Sequence, residues 1–187
     1  RRGTGARRPA TGVVATRPRA RESHAPGCAD RVVHHGRGPQ LGAMWEPTFI
    51  HDGEASRKGR GGRAAVRRAQ QFVRQVQSGQ GGGWYLQLDV ANFFNSIHRG
   101  KLWRMLRKRL QAHRAPEALQ RATHALLRHS PLHAGVQYRA TAAELAQVPA
   151  HKKLANAPAG RGLPIGNLSS QFFANVFLDA LDQFVKH

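Results

Sequence analysis

Acidic side chains are scarce. The 187 residues hold 10 Asp and Glu against 30 Lys and Arg, for a formal net charge of +20. That excess is more than solubility needs, and a polyanionic partner is its natural explanation. A solvated basic face is the plain alternative. Cysteine is nearly absent: Cys28 stands alone, which excludes an intramolecular disulfide and a cysteine-rich zinc site. Such usage suits a reducing compartment, and a cytoplasmic location is expected. No apolar run approaches the roughly 20 residues of a membrane span, so no membrane partner is expected. A basic start followed by an apolar core, the mark of a signal peptide, is also lacking. The chain opens on Arg1 without an initiating methionine and is read as a fragment that begins mid-sequence. Its length suffices for one domain, or one and a part, with a real core. There is no internal repeat.

Residues 1–29 are rich in Arg, Gly, Ala, Pro and Thr and poor in large apolar residues. Such a segment cannot offset the entropy of ordering, and disorder is expected. Asp30-Arg31-Val32-Val33-His34-His35 can begin a helix with Asp30 as N-cap, cut short by Gly36-Arg37-Gly38-Pro39. Trp45, Phe49 and Ile50 supply a small apolar cluster. Ser56 to Gly62 is a basic, glycine-rich loop. A helix is predicted from about Arg63 to Gln77, with Val66, Ala69, Phe72, Val73 and Val76 as its apolar stripe. A second, from about Arg99 to Leu110, turns Leu102, Met105, Leu106 and Leu110 inward. A third starts near Pro116 and buries Leu119, Ala122 and Leu126. Residues 130–160 read as loops. The last helix, about Asn167 to Lys186, carries Phe173, Phe177, Leu181 and Phe184 at spacings of three and four.

Between the first two helices lies Trp84-Tyr85-Leu86-Gln87-Leu88-Asp89-Val90, a predicted β-strand with a carboxylate at its end. Tyr85, Gln87 and Asp89 share one face and Leu86, Leu88 and Val90 the other. A lone Asp after an apolar strand is more often a turn former or helix cap. Only five acidic residues lie beyond Gly83, however: Asp89, Glu117, Glu144, Asp179 and Asp182. Glu117 falls in a helix's first turn, where it suits the dipole. Asp179 and Asp182 lie on the last helix and read as surface residues. Asp89 is therefore the best candidate for metal-assisted chemistry on an acidic polymer.

The run Asp89-Val90-Ala91-Asn92-Phe93-Phe94-Asn95-Ser96-Ile97 resembles the first catalytic motif of bacterial reverse transcriptases. The resemblance implies that Asp89 binds two Mg2+ ions and that the backbone carbonyl of Val90 ligates one. It makes Phe94 a steric gate that leaves no room for a 2′-hydroxyl; core packing is the plain reading of Phe93. A second run, Gly162-Leu163-Pro164-Ile165-Gly166-Asn167-Leu168-Ser169-Ser170-Gln171, resembles the template- and nucleotide-positioning motif of the same family. Ile165 and Gly166 would then border the incoming nucleotide. Gly162, Pro164, Asn167, Ser170 and Gln171 would position template and primer, with Asn167 or Ser169 capping the next helix. Most members carry Gln-Gly and then Ser-Pro in this motif. The Ile165-Gly166 form is similar to the diversity-generating retroelement lineages, where an apolar residue accompanies error-prone copying.

A third match is in the fingers. Residues 30–35 and Phe49 to Gly61 resemble fingers motifs in which a basic loop meets the incoming triphosphate, here through Arg57, Lys58 and Arg60. Guanidinium and ammonium both suit phosphate. The resemblance implies an α/β (α+β) fold: partial fingers over residues 30–83 and a partial palm over residues 84–187. The palm is expected to be an antiparallel sheet backed by helices. The Tyr-x-Asp-Asp motif and the thumb are expected beyond residue 187. The implied activity is RNA-directed DNA polymerisation, with an RNA template, a DNA primer or product and deoxynucleoside triphosphates as partners; an accessory protein remains open. The competing reading is a nucleic-acid-binding relic without catalysis. A basic structural RNA binder needs neither Asp89, Phe94 nor the Gly162 to Asn167 order.

Overall fold

The computed structural model describes residues 10–16, 19–25, 39–53, 55, 57, 59–79, 82–133, 137–138 and 140–186. Lys58 and the expected helix at residues 30–35 lie outside the described residues. The molecule is mainly helical. In chain order the helices are α1 (residues 39–45), α2 (Gly62–Gln77), α3 (Phe93–Ser96), α4 (Arg99–Ala112), α5 (Glu117–Arg128), α6 (Ala142–Ala146) and α7 (Leu168–Lys186).

The core is built where helical spacing repeats leucine. On α4, Leu102, Leu106 and Leu110 are fully buried, four residues apart and so one above another. They meet Leu119 and Leu127 of α5, Phe173, Ala174 and Val176 of α7, and Leu41 and Trp45 of α1. Trp45 stands edge-on to Phe172, ring centroids 5.6 Å apart, a favoured aromatic geometry. Arg109 donates from its Nε to the Met44 carbonyl at 2.9 Å, tying α4 to α1.

Helix positions follow the sequence more closely than faces do. In α5 the buried residues are Leu119, Thr123 and Leu127, whereas Ala122 and Leu126 are only half-buried. Thr123 tolerates burial because its hydroxyl donates to the Leu119 carbonyl at 2.7 Å. In α7, Leu181 and Phe184 stay exposed although their spacing predicts burial. α2 buries none of its residues; Val66, Phe72, Val73 and Val76 face solvent. Charge holds α2 in place instead. Asp52 accepts from Arg68 of α2 and, at 2.6 Å, from Lys186 of α7, and the Arg68 guanidinium lies 4.5 Å from the Phe72 ring centroid.

Three expectations are corrected. Within the arm expected to be disordered, strands β1 (Ala10–Thr16) and β2 (Arg19–Ala25) pair antiparallel, from Ala10 opposite Ala25 to Thr16 opposite Arg19. A short β3 (Gln137–Tyr138) joins β1 in parallel, giving the order β2-β1-β3. Ladder hydrogen bonds are made by backbone, so an apolar-poor sequence can still form them. Conversely, residues 82–90 are in neither helix nor ladder, and Trp84, Tyr85, Leu86 and Leu88 are exposed. Their alternation predicts a strand, but no described strand lies beside them to accept the pairing. The loop expected at 130–160 also contains α6, opened by a capping box between Thr141 and Glu144.

Candidate functional site

Asp89 ends the extended approach, and the chain then turns sharply. Asn92 sits in the left-handed region at φ 50°, which Asn tolerates better than most residues. The turn directs Phe93 and Phe94 into α3. Immediately afterwards the backbone is stitched to the second motif. Leu163 donates its amide to the Phe94 carbonyl at 2.9 Å, and Gly162 to the Ile97 carbonyl at 3.0 Å. Arg99 donates to the Gly160 carbonyl at 3.0 Å, and His98 and Arg161 form an isolated antiparallel bridge.

These bonds bring the two motifs to one cleft of about 390 Å³. Asp89, Val90, Phe93 and Phe94 line it from one side and Ile165 from the other; Glu22, His151 and Lys152 complete the wall. Phe93 and Phe94 lie edge-on at 5.6 Å between centroids. Both also pack against the core, so neither is a purely interior ring. The side-chain amides of Asn92 and Asn95 both donate to the His151 carbonyl, Asn95 at 3.4 Å. They pin the His151 loop over the Asp89 turn.

The turn at Ile165 and Gly166 is held by β2. The Ile165 carbonyl accepts the His24 amide at 2.7 Å. Gly166 has φ 111°, and a Cβ there would lie 2.8 Å from the His24 carbonyl oxygen and from Ser23 Oγ. Gly162 has φ 91°, and a Cβ would lie 2.9 Å from Leu154 Cδ1. Both positions therefore require glycine. Pro164 lines a second cleft, shared with Arg99, His129, Gly160 and Gly162, and does not line the Asp89 cleft that Ile165 borders.

Asn167 occupies the position before α7, as expected, but it does not cap with its side chain. It is buried and its Oδ1 has no hydrogen-bond partner; its backbone carbonyl accepts from Ser170 and Gln171 instead. Ser169 lies inside α7. Ser170 is buried and Gln171 exposed, and neither reaches the Asp89 cleft.

The fingers residues separate. Arg57 donates to Glu46 Oε1 at 2.9 Å, to the Ile50 carbonyl at 2.7 Å and to the Gly53 carbonyl at 2.8 Å. Its side chain is 6% exposed and its guanidinium lies 5.4 Å from the Phe49 ring centroid. With its donors engaged within the chain, Arg57 braces the 46–57 loop. Arg60 donates to the His51 carbonyl. It borders a cavity with Gly59, Gly61, Arg63 and Arg67 at the start of α2.

Metal binding is the demanding test. Asp89 is exposed on the cleft. The other carboxylate there, Glu22, accepts the Leu154 amide at 2.8 Å and lies 3.7 Å from His24 Nε2. Burial pushes the Glu22 carboxyl up, but the neighbouring His24 imidazole and the Leu154 amide outweigh it and hold it below its ordinary value. Among the described residues no group of three His, Cys, Asp or Glu is arranged to hold a metal ion. These residues alone do not make a two-ion centre.

Sequence reasoning missed Glu22, His151, Lys152 and the two asparagines as members of the site. Only Asn92 carried a local signal, as an Asn in a turn; the others reach the cleft through tertiary contacts. No protein-family model matches the chain, and a search of curated proteins gives no match.

Proposed function

We propose that the chain is the palm-side part of an RNA-directed DNA polymerase, with Asp89 as the metal-binding carboxylate of its first catalytic motif. One observation carries the reading. Asp89, Phe94 and Ile165, drawn from two motifs far apart in sequence, border the same cleft, and backbone hydrogen bonds from Leu163 to Phe94 and from Gly162 to Ile97 tie the two motifs together. A loop plus a helix start, each with an unrelated role, has no need of that meeting. The net charge of +20 favours a nucleic-acid partner.

In this reading Asp89 would be one ligand of Mg2+, which would supply charge neutralisation during nucleotidyl transfer. The reading requires further carboxylates, which a Tyr-x-Asp-Asp segment would supply. Phe94 lies under the sugar of the incoming deoxynucleoside triphosphate, and Ile165 borders the nascent pair. An antiparallel palm sheet would include residues 84–90 once a partner strand is beside them. A second reading is a non-catalytic nucleic-acid-binding protein. It is favoured by Asp89 being the one cleft carboxylate without a partner among the described residues.

Primer extension on an RNA template separates the two. A polypeptide that includes a Tyr-x-Asp-Asp segment should incorporate deoxynucleotides, and Asp89→Asn should abolish incorporation while RNA binding persists. Residues 1–187 alone should bind RNA without extending a primer. An extended polypeptide that folds and binds RNA but never incorporates a nucleotide overturns the polymerase reading.

A further inference from the structure

We propose that the outer face of α4 is a docking surface for the phosphate backbone of duplex RNA, separate from the Asp89 cleft. Lys101, Arg104, Arg107 and Lys108 are all exposed. At about 100° per residue they fall, with Gly100 and Gln111, within about one third of the helix circumference. The opposite side is the fully buried row of Leu102, Leu106 and Leu110. The four cations therefore point away from the core, and none of them borders the cleft of Asp89, Phe94 and Ile165.

A merely solvated helix face is normally laced with acids one turn from its bases. α4 holds no acidic residue at all. The ion pairs among the described residues lie elsewhere: Asp52 with Arg68 and Lys186, Glu46 with Arg57, Glu117 with Arg121. Lys101, Arg104 and Lys108 instead face like charges three and four residues away. Arg99 and Lys101 also lie at the helix N-terminus, where the dipole disfavours a cation. The arrangement works against the isolated helix and is relieved by an external polyanion.

The chemistry favours nucleic acid over a lipid surface. Amphipathic helices that bind membranes insert an apolar face, and the apolar face of α4 is the protein core. The four cations span about 10 Å of helix. Duplex DNA carries one charge per about 1.7 Å of its axis, and at a comparable charge density about six phosphates lie within that reach. The choice of RNA as the duplex rests on the polymerase reading, whereas the basic face itself requires neither metal nor Asp89.

The test is binding of the 187-residue chain to a blunt RNA duplex across a salt series. Lys101→Gln, Arg104→Gln, Arg107→Gln and Lys108→Gln together should lower the salt slope by about 3 to 4, near one for each phosphate no longer neutralised. In the unsubstituted chain, duplex RNA should shield Lys101 and Lys108 from acetylation, a readout that stands even if the fourfold variant misfolds. A folded variant with an unchanged slope, or lysines acetylated equally with and without RNA, overturns the proposal. So does a fourfold variant that no longer binds phosphatidylserine-containing vesicles while its RNA affinity is intact, which would assign the face to membranes.

Discussion

The amide of Leu163 donates to the carbonyl of Phe94 at 2.9 Å. That bond fixes the height of Phe94 against the turn at Ile165, so the ring on one side of the cleft and the apolar side chain on the other move as a unit. Substitutions that disturb either backbone segment should be felt at both.

Gly162→Ala should destabilise the chain by about 1 to 3 kcal/mol, because a residue with a Cβ is strained at φ 91° and meets Leu154 and Ala157. Gly42→Ala offers the contrast. Gly42 lies in α1 with nothing within 4 Å of an added Cβ, and alanine should stabilise by about 0.5 to 1 kcal/mol. Urea denaturation of both variants measures the difference.

On the polymerase reading, Phe94→Ala in a polypeptide that includes a Tyr-x-Asp-Asp segment should admit ribonucleotides, because space beneath the sugar would open. Phe93→Ala should lower activity with both sugars alike. Parallel extension with ribo- and deoxynucleotides separates a gate from a core ring. An unchanged sugar preference in a folded Phe94→Ala variant removes Phe94 from the site.

Arg57→Gln should lower stability by about 1 to 3 kcal/mol, since it leaves the Ile50 and Gly53 carbonyls short of a donor and breaks the pair with Glu46. The apparent KM for nucleotide should change little. A stable variant with a strongly raised KM would restore Arg57 to a phosphate role.

Asp52 gives an acid-side signature. Hydrogen bonds from Arg68 and then from Lys186 hold its carboxyl well below the usual carboxylate range. A depressed folded-state value means the contribution is complete above the unfolded value near 4 and is lost as pH falls below it. Asp52→Asn should lower stability at neutral pH and flatten the stability curve below pH 4. Thermal melts from pH 7 to pH 3 report both effects, and parallel curves for the two proteins would count against the pairing.

The helices were legible because a repeat of three and four states both the element and its buried side. Leu102, Leu106 and Leu110 show this fully. Thr123 was not legible, since burial there depends on a hydroxyl bonding its own helix. The stripe of α2 looks like a core face, yet Asp52 anchors that helix through charge, which periodicity cannot express. The alternation of Leu86, Leu88 and Val90 describes what a strand would bury and says nothing of whether a neighbour is present to pair. The cleft itself was half legible. Asp89, Phe94 and Ile165 stand out by their order, whereas Glu22 and His151 join it only because distant backbone carries them there.

The hairpin of β1 and β2 bears on how the protein is handled at the bench. Its Arg-rich sequence invites trimming to improve expression or crystallisation. Deleting residues 1–25 would remove Glu22 from the cleft wall, the amide that binds the Ile165 carbonyl, and the backbone that excludes a side chain at Gly166. A shortened chain would thus carry an altered site, and inactivity or loose nucleotide selection measured on it would describe the truncation.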